Sequence, residues 1–148
     1  MRLLLEQLIA LLSPEPDPVA TMANAASFLF NSLDDVSWAG FYLKRGNDLV
    51  VGPFCGKPAC TRIRPGRGVC GTAFAEQRTV VVPDVHAFPG HIACDPDSRS
   101  EIVIPLFGKD AAPYGVLDLD STAYGRFDDE TAAFLSEAAG IISSHLDL

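Results

Sequence analysis

Residues 83–98 read PDVHAFPGHIACDPDS, and the rest of the chain is organised around this stretch. It contains too many Gly, Pro, Asp and His residues for a regular helix or strand, so it predicts a long connection. A connection of this length is usually either functional or disordered. Because apolar residues are interleaved among its reactive ones, it is too hydrophobic for disorder. We therefore expect an ordered loop that presents the thiol of Cys94.

Before this loop, the hydrophobic pattern predicts helices followed by strands. Asp17 is expected to cap the second helix, with Pro18 in its first turn. The hydrophobic period then changes from that of a helix to that of a strand. The expected elements, in order, are helices over residues 1–12 and 18–31, strands over residues 37–44 and 49–51, a turn-rich segment over residues 52–58, a strand over residues 60–63 and a short helix over residues 69–77.

The remaining elements complete the expected fold. Residues 79–82 predict a strand that leads into the loop, and two apolar runs after the loop, 101–107 and 114–119, are expected to pair antiparallel. A last helix is expected over residues 130–146. This order predicts an α+β fold with an antiparallel sheet, the N- and C-terminal helices on one face and the long loop on the other. A pocket is expected between the sheet and the loop.

Composition limits the size, the compartment and the partners. With 148 residues and 48% hydrophobic content, the chain has the size of a single domain, residues 1–148, and needs no disulfides for its stability. Four cysteines and no signal peptide indicate the cytoplasm, where a disulfide is usually transient and catalytic. The apolar start is too short to span a membrane. A net charge of −8 argues against nucleic acid or anionic lipid as a partner.

Cys94 is the strongest candidate for chemistry. Asp95 and Asp97 would raise the pKa of its thiol, whereas His91 and Arg99 would lower it. The balance matters, because lowering a thiol pKa from about 8.5 to about 6 raises the thiolate fraction at pH 7 from roughly 3% to roughly 90%. The alternative is a buried structural cysteine that acts as a small apolar residue. The polar loop around Cys94 disfavours that alternative.

Two further cysteines, Cys60 and Cys70, flank a basic run that contains Arg62, Arg64 and Arg67. Cys70 lies near a helix start, where backbone N–H groups favour a thiolate. A zinc site is the competing interpretation. Structural zinc sites usually contain ligand pairs two to four residues apart, and the spacing of the cysteines provides none. The sequence therefore predicts no metal site.

Three carboxylates lie in apolar strands. Glu101 begins one strand, and Asp118 and Asp120 are two residues apart in another, so the last two share a face. Charged groups in such apolar surroundings are unfavourable unless a cation matches them. They are either solvated carboxylates at the edge of the sheet or a site for the ammonium group of a small ligand. In the second case, an unmatched acid would keep its proton and act as a donor.

Four other side chains allow two interpretations each. His86 and His91 either hydrogen-bond the loop backbone or take part in catalysis. Trp38 and Tyr42 lie four residues apart on a strand and share a face. They belong either to the core or to an apolar wall for a ligand methyl group.

Several motifs occur in a fixed order along most of the chain, from about Trp38 to Phe127. They are WAGFYL (38–43), GPF through GKPAC (52–60), GRGVCG (66–71), DVH through GHIACD (84–95), SEIV (100–103) and GVLDLDS (115–121). In this order they resemble the free methionine-(R)-sulfoxide reductases, which are GAF-domain enzymes. The resemblance implies a GAF-like fold.

The resemblance also implies roles for the cysteines. Cys94 would be the nucleophile, Cys60 would be the main resolving cysteine, and Cys70 would lie within disulfide reach of Cys94. One departure concerns Cys55, which stands where the family commonly has glutamine. It leaves open whether Cys60 or Cys55 is the partner of Cys94.

The remaining candidates become a substrate site in this comparison. The resemblance implies that Glu101, Asp118 and Asp120 bind and polarise the substrate, with Trp38 and Tyr42 near its side chain. A sulfoxide sulfur becomes electrophilic only when its oxygen accepts a proton or a strong hydrogen bond. The site therefore needs an acid beside a thiolate, and these carboxyl groups provide the acid.

The expected reaction is the thiol-dependent reduction of free L-methionine-(R)-sulfoxide to L-methionine. It would pass through a sulfenic acid on Cys94 and an intramolecular disulfide that thioredoxin reduces. No metal or organic cofactor is expected, and the resemblance is compatible with a homodimer. Two alternatives remain, a GAF module that binds a small molecule without converting it and a thiol redox sensor.

Overall fold

The strands form one antiparallel sheet, and helices cover both of its faces. The computed structural model describes residues 1–146 and residue 148. In chain order the elements are α1 (Arg2–Leu12), α2 (Pro18–Ser32), β1 (Trp38–Arg45), β2 (Asp48–Gly56), β3 (Arg62–Ile63), α3 (Gly68–Glu76), β4 (Val80–Val82), a single 3₁₀ turn (Val85–Ala87), β5 (Ser100–Phe107), β6 (Pro113–Ser121) and α4 (Asp129–Leu146). The strand order in the described part of the chain is β3-β2-β1-β6-β5-β4. The predicted α+β class is confirmed.

The main hydrophobic core lies between the sheet and the helices α1, α2 and α4. Successive strand residues point to opposite faces, so Phe41 and Leu117 face these helices. Side chains cap two of the helices, since Asp17 accepts a hydrogen bond from the backbone of α2 and Asp128 accepts one from Thr131 N at 2.9 Å. Because α1, α2 and α4 all pack in this one core, the predicted placement of the N- and C-terminal helices on one face is confirmed.

A second hydrophobic cluster lies on the opposite face and surrounds the site. Helix α3 contributes Val69, Ala73 and Phe74, and the sheet contributes Trp38 and Tyr42. The long connection between β4 and β5 covers the same face, as predicted. Because α3 and this loop pack on one face, residues far apart in sequence meet between them.

One local prediction was wrong. The sequence predicted turns over residues 52–58, but β2 continues beyond Val51 to Gly56. The register of β2 against β1 shifts near Gly40, which places Pro53 in a β-bulge. Proline has no N–H group for a ladder hydrogen bond, and a bulge is one of the few strand positions that tolerate it.

Backbone hydrogen bonds fix both ends of the long loop. Val85 N donates to Arg99 O, and Arg99 N donates to Ser121 O, each at 2.8 Å. Cys94 therefore lies between two points that are attached to the sheet. Within residues 1–146 and 148, none of the helices combines the length and apolar character that a membrane crossing would require.

Candidate active site

A cavity lies between the sheet and the long loop, where the sequence predicted a pocket. Its volume is about 50 Å³, which is room for a few water molecules. The candidate residues that line it are Trp38, Tyr42, Cys70, Cys94, Glu101, Asp118 and Asp120. The fold thus brings together residues from β1, α3, the loop, β5 and β6. Their roles in a reaction stay a prediction.

A disulfide joins Cys60 to Cys94, of which Cys94 lines the cavity and Cys60 does not. The two residues are 34 positions apart in sequence, and their Cα atoms are 5.4 Å apart. Cys60 lies in the segment between β2 and β3, and Cys94 lies in the long loop. The bond therefore connects two segments that carry no regular structure and that meet over the cavity.

Cys70 is a free, buried thiol in the first turn of α3. Burial raises its pKa, and the nearby carboxyl groups of Asp118 and Glu101 raise it further. Its Sγ atom lies 3.9 Å from Oε2 of Glu101 and donates a weak hydrogen bond to it. The sequence indicated a thiolate at this helix start. In the structure, burial and neighbouring negative charge outweigh the helix N-terminus, so the thiol keeps its proton.

The three acids meet because of the register between two strands. Glu101 of β5 pairs with Asp120 of β6, and Asp118 follows two residues away on the same face. Glu101 is 8% exposed and Asp118 is 4% exposed, while Asp120 is partly exposed toward the cavity. Ion pairs between described residues all involve other acids. The solvated interpretation is therefore wrong for Glu101 and Asp118.

Burial raises the pKa of all three carboxyl groups. The charge of Asp118 raises the pKa of Glu101 and Asp120 further. Hydrogen bonding to Glu101 and Cys70 lowers the pKa of Asp118 against the effect of burial, whereas at Asp120 Glu101 alone has this lowering effect. Asp118 is therefore the first of the three to ionise, and Glu101 and Asp120 retain their protons more strongly. The cluster holds a carboxylate beside carboxylic acids.

Trp38 and Tyr42 form an aromatic wall of the cavity. Their rings stack with centroids 5.9 Å apart. The wall also holds the segment that carries Cys60, since Trp38 Nε1 donates to Lys57 O at 3.1 Å and the Tyr42 hydroxyl donates to Cys60 O at 2.8 Å. Burial, followed by the charge of Asp118, raises the pKa of Tyr42, so its hydroxyl stays a donor.

The two loop histidines differ in position. His91 lines the cavity, and burial together with neighbouring His86 lowers its pKa, which favours the neutral ring. His86 lies on the outer side of the loop, where its Nδ1 atom is 3.4 Å from Asp84 Oδ1 and both side chains are about half exposed. Of the two, His91 is the one that could contact a ligand.

Comparisons with known proteins identify the family of this chain. The sequence profile of the GAF domain matches residues 17–147. The free methionine-R-sulfoxide reductase of Escherichia coli (strain K12) is 54% identical over 121 residues, which are 82% of this chain and 73% of that protein. The chain belongs to the free methionine-R-sulfoxide reductase family.

Solved structures of this family and of a related GAF protein have the same fold. The free methionine-R-sulfoxide reductase from Neisseria meningitidis, solved in complex with its substrate, has a TM-score of 0.94 and 47% identity and covers 98% of this chain and 87% of its own. The structure of a putative GAF sensor protein from Burkholderia vietnamiensis has a TM-score of 0.94 and 51% identity. It covers 97% of this chain and 91% of its own. The predicted family, the GAF-like fold and the assignment as an oxidoreductase are confirmed.

Cys55 is the position at which the resemblance implied a departure from the family pattern. In this member, Cys55 pairs with Ala39 on β1, and Ala39 belongs to the core that faces the helices. Because paired residues share a face, the Cys55 side chain points away from the cavity. The disulfide of the structure uses Cys60, and Cys55 stays a free thiol.

Sequence reasoning missed one contact of this site. Lys57 Nζ lies 3.3 Å from Asp97 Oδ2 and so connects the segment of Cys60 to the loop of Cys94. Both side chains are about two-thirds exposed. Such an exposed pair stabilises a fold by less than about 1 kcal/mol, and neither residue has a pattern that could have identified it.

Proposed function

We propose that this protein reduces free L-methionine-(R)-sulfoxide to L-methionine, as the relatives' names state for those proteins. The observation that carries the proposal is the position of the Cys60–Cys94 pair over a cavity that contains buried, unpaired acids. A binding module would need the acids only. A redox sensor would need the thiols only.

The acids suit an ammonium group. Asp118 ionises first, and its Oδ1 atom is buried without a hydrogen-bond partner among the described residues. A charged carboxylate that is buried alone is unfavourable, and a free amino acid supplies the cation that it lacks. A methionine residue inside a peptide has no such ammonium group, so the site would select the free amino acid.

The acids also suit the sulfoxide. Glu101 and Asp120 hold their protons because of burial and the charge of Asp118. One of them donates to the sulfoxide oxygen and makes the sulfur electrophilic. The stacked rings of Trp38 and Tyr42 receive the apolar side chain. The reacting sulfur then faces Cys94.

The first chemical step transfers the oxygen. Cys94 attacks the sulfoxide sulfur, the S–O bond of the substrate breaks and an S–O bond forms at Cys94. The substrate sulfur gains two electrons and leaves as methionine, while the Cys94 sulfur loses two and becomes a sulfenic acid. The acid that gives its proton to the sulfoxide oxygen takes up the thiol proton of Cys94 in return, so the step is balanced.

The second step closes the disulfide. The Cys60 thiol attacks the Cys94 sulfur, the S–O bond breaks and the oxygen leaves as water. Hydrogen bonds from Trp38 and Tyr42 hold the backbone of the Cys60 segment in reach. Cys70 is a buried free thiol that lines the cavity and is available as an alternative partner.

Thioredoxin is the proposed reductant. Its potential near −270 mV is low enough to reduce a catalytic disulfide, and a disulfide that must be reduced at every turnover suits the cytoplasm. We further propose that one GAF domain, residues 1–148, contains all the groups that react. A homodimer is compatible with this proposal, and no metal or organic cofactor takes part in the reaction.

The experiment measures NADPH oxidation with thioredoxin reductase, thioredoxin and separate R and S epimers of free methionine sulfoxide. We expect turnover with the R epimer alone. Cys94→Ser should abolish turnover, and Cys55→Ser is the matched control that should keep it, since Cys55 faces the helices. Turnover by Cys94→Ser would exclude the mechanism, and equal use of both epimers would exclude the substrate assignment.

A binding function without conversion is the second candidate, and the GAF sensor among the similar structures favours it. The same experiment separates the two candidates. A sensor would bind methionine sulfoxide without consuming NADPH, whereas the reductase consumes one NADPH for each methionine formed.

A further inference from the structure

Three potential metal ligands converge in the cavity. Cys70, Glu101 and Asp118 each present one ligand atom, and these atoms all lie within 4.8 Å of one another. All three residues are buried. They come from α3, β5 and β6, so their positions are fixed by regular elements and not by the loop.

The donor set fits a divalent transition metal. Zinc binds thiolate sulfur and carboxylate oxygen in tetrahedral sites, and a site with three protein ligands leaves a fourth position for water. A hard cation such as Mg²⁺ prefers oxygen ligands alone, so the sulfur of Cys70 favours zinc. A group of acids near a cysteine is not sufficient evidence for a site, and a second observation is needed.

That second observation is the unpartnered oxygen of Asp118. Its Oδ1 atom makes no hydrogen bond within the described residues, although Asp118 is only 4% exposed and lines the cavity. Buried polar atoms are normally paired, so an orphaned one at a cavity indicates a missing ligand. The cavity of about 50 Å³ has room for an ion and its water even while the Cys60–Cys94 disulfide is closed.

We propose that Cys70, Glu101 and Asp118 bind Zn²⁺ and that the bound ion excludes methionine sulfoxide. The ion occupies the position that the substrate's ammonium group takes, so zinc is a competitive inhibitor. The binding site itself does not depend on the proposed function, but the competition does. The spacing of the cysteines disfavoured a zinc site made of cysteines. In the fold, the ligands are instead one cysteine and two acids.

The test uses the full chain in its Cys60–Cys94 disulfide form, so that neither of these cysteines can bind the metal. Co²⁺ serves as a spectroscopic probe and Zn²⁺ as the titrant. We expect one ion per chain, a thiolate-to-cobalt charge-transfer band and loss of that band on addition of Zn²⁺. Cys70→Ser should abolish the band and weaken Zn²⁺ binding at least tenfold, while Cys55→Ser should leave both unchanged.

Asp118→Asn provides a second variant in case Cys70→Ser unfolds, and it should also weaken Zn²⁺ binding at least tenfold. Absence of the band, or equal Zn²⁺ affinity in all variants, would overturn the site. In the turnover assay, Zn²⁺ should raise the apparent KM for the R epimer without changing kcat. A fall in kcat alone would overturn the competition. Zinc binding by a chain that shows no turnover would refute the proposed function and leave the site intact.

Discussion

At the scale of single residues, Asp118 differs from the two acids beside it. Burial raises the pKa of all three, but hydrogen bonding to both Glu101 and Cys70 lowers the pKa of Asp118, whereas the pKa of Asp120 is lowered by Glu101 alone and is raised by the charge of Asp118. Its charge then keeps the proton on Glu101 and Asp120. One ionised member thus determines the protonation of the others, and a single site provides both a carboxylate for a cation and an acid for an oxygen.

Replacing Asp118 should therefore impair substrate binding. Asp118→Asn removes the carboxylate that pairs with the ammonium group, and a charge-assisted hydrogen bond contributes about 2 kcal/mol, or about thirtyfold. We expect KM for the R epimer to rise by about that factor. Asp129→Asn, at the exposed start of α4, is the matched control. An unchanged KM in Asp118→Asn would exclude the ammonium site.

Tyr42 should affect the closing of the disulfide. Tyr42→Phe keeps the ring and removes the hydrogen bond to Cys60 O, which contributes about 1 kcal/mol. We expect disulfide formation to slow about fivefold, so that a sulfenic-acid trap labels Cys94 more strongly during turnover. Tyr114→Phe is the control, because that hydroxyl bonds Ser143 on the other face of the sheet. Equal labelling in the two variants would refute this positioning role.

At the scale of elements, the sequence predicted most of the fold but not the composition of the site. Helix α2 was predictable because Asp17 and Pro18 are strong local signals. The end of β2 was not, because the bulge at Pro53 depends on its pairing with β1. The roles of the site residues came from a resemblance. Residue spacing alone could not show that β5 and β6 pair Glu101 with Asp120.

Helix α3 is positioned by a close approach of backbone to backbone. Gly71 N donates to Arg67 O at 3.1 Å, and Gly66 N donates to Gly71 O at 2.7 Å. A Cβ atom at Gly71 would overlap Arg64 O and would lie 3.1 Å from Gly66 N. Only glycine fits this contact, which places the first turn of α3 and therefore Cys70 against the sheet.

Two glycine substitutions in helices should therefore have opposite effects. Gly71→Ala forces the turn at Arg64 away from α3, and overpacking of this kind costs about 2 kcal/mol or more. A Cβ atom at Gly140 in α4 would have no neighbouring atom within 4 Å. Because alanine has a higher helix propensity than glycine, Gly140→Ala should stabilise the protein by about 0.5–1 kcal/mol. Denaturant unfolding measures both changes. A neutral Gly71→Ala would show that the contact with Arg64 does not constrain α3.

At the scale of the whole molecule, the acid cluster connects folding stability to pH. In the unfolded chain, Glu101 and Asp120 ionise near their ordinary values of about 4. In the folded protein their pKa is raised, so above that pH the folded state binds more protons than the unfolded state. Stability then falls as pH rises, by up to about 1.4 kcal/mol per pH unit for each proton concerned. The site therefore opposes folding at neutral pH.

Glu101→Gln should for this reason stabilise the protein while it impairs catalysis. The amide resembles the protonated acid in shape and cannot ionise, so the contribution of Glu101 to the fall in stability above about pH 4 disappears. We expect the free energy of unfolding at pH 7 to increase by about 1 kcal/mol, which is typical when an unfavourable functional group is replaced. This increase corresponds to a rise in Tm of roughly 3 °C. Below about pH 4 the variant and the parent should unfold at the same temperature, because Glu101 is protonated in both states there.

Glu137→Gln on the exposed side of α4 is the matched control and should leave the pH profile of Tm unchanged. If Glu101→Gln lowered Tm at pH 7, Glu101 would be ionised and paired in the folded protein, and it could not be the proton donor to the sulfoxide.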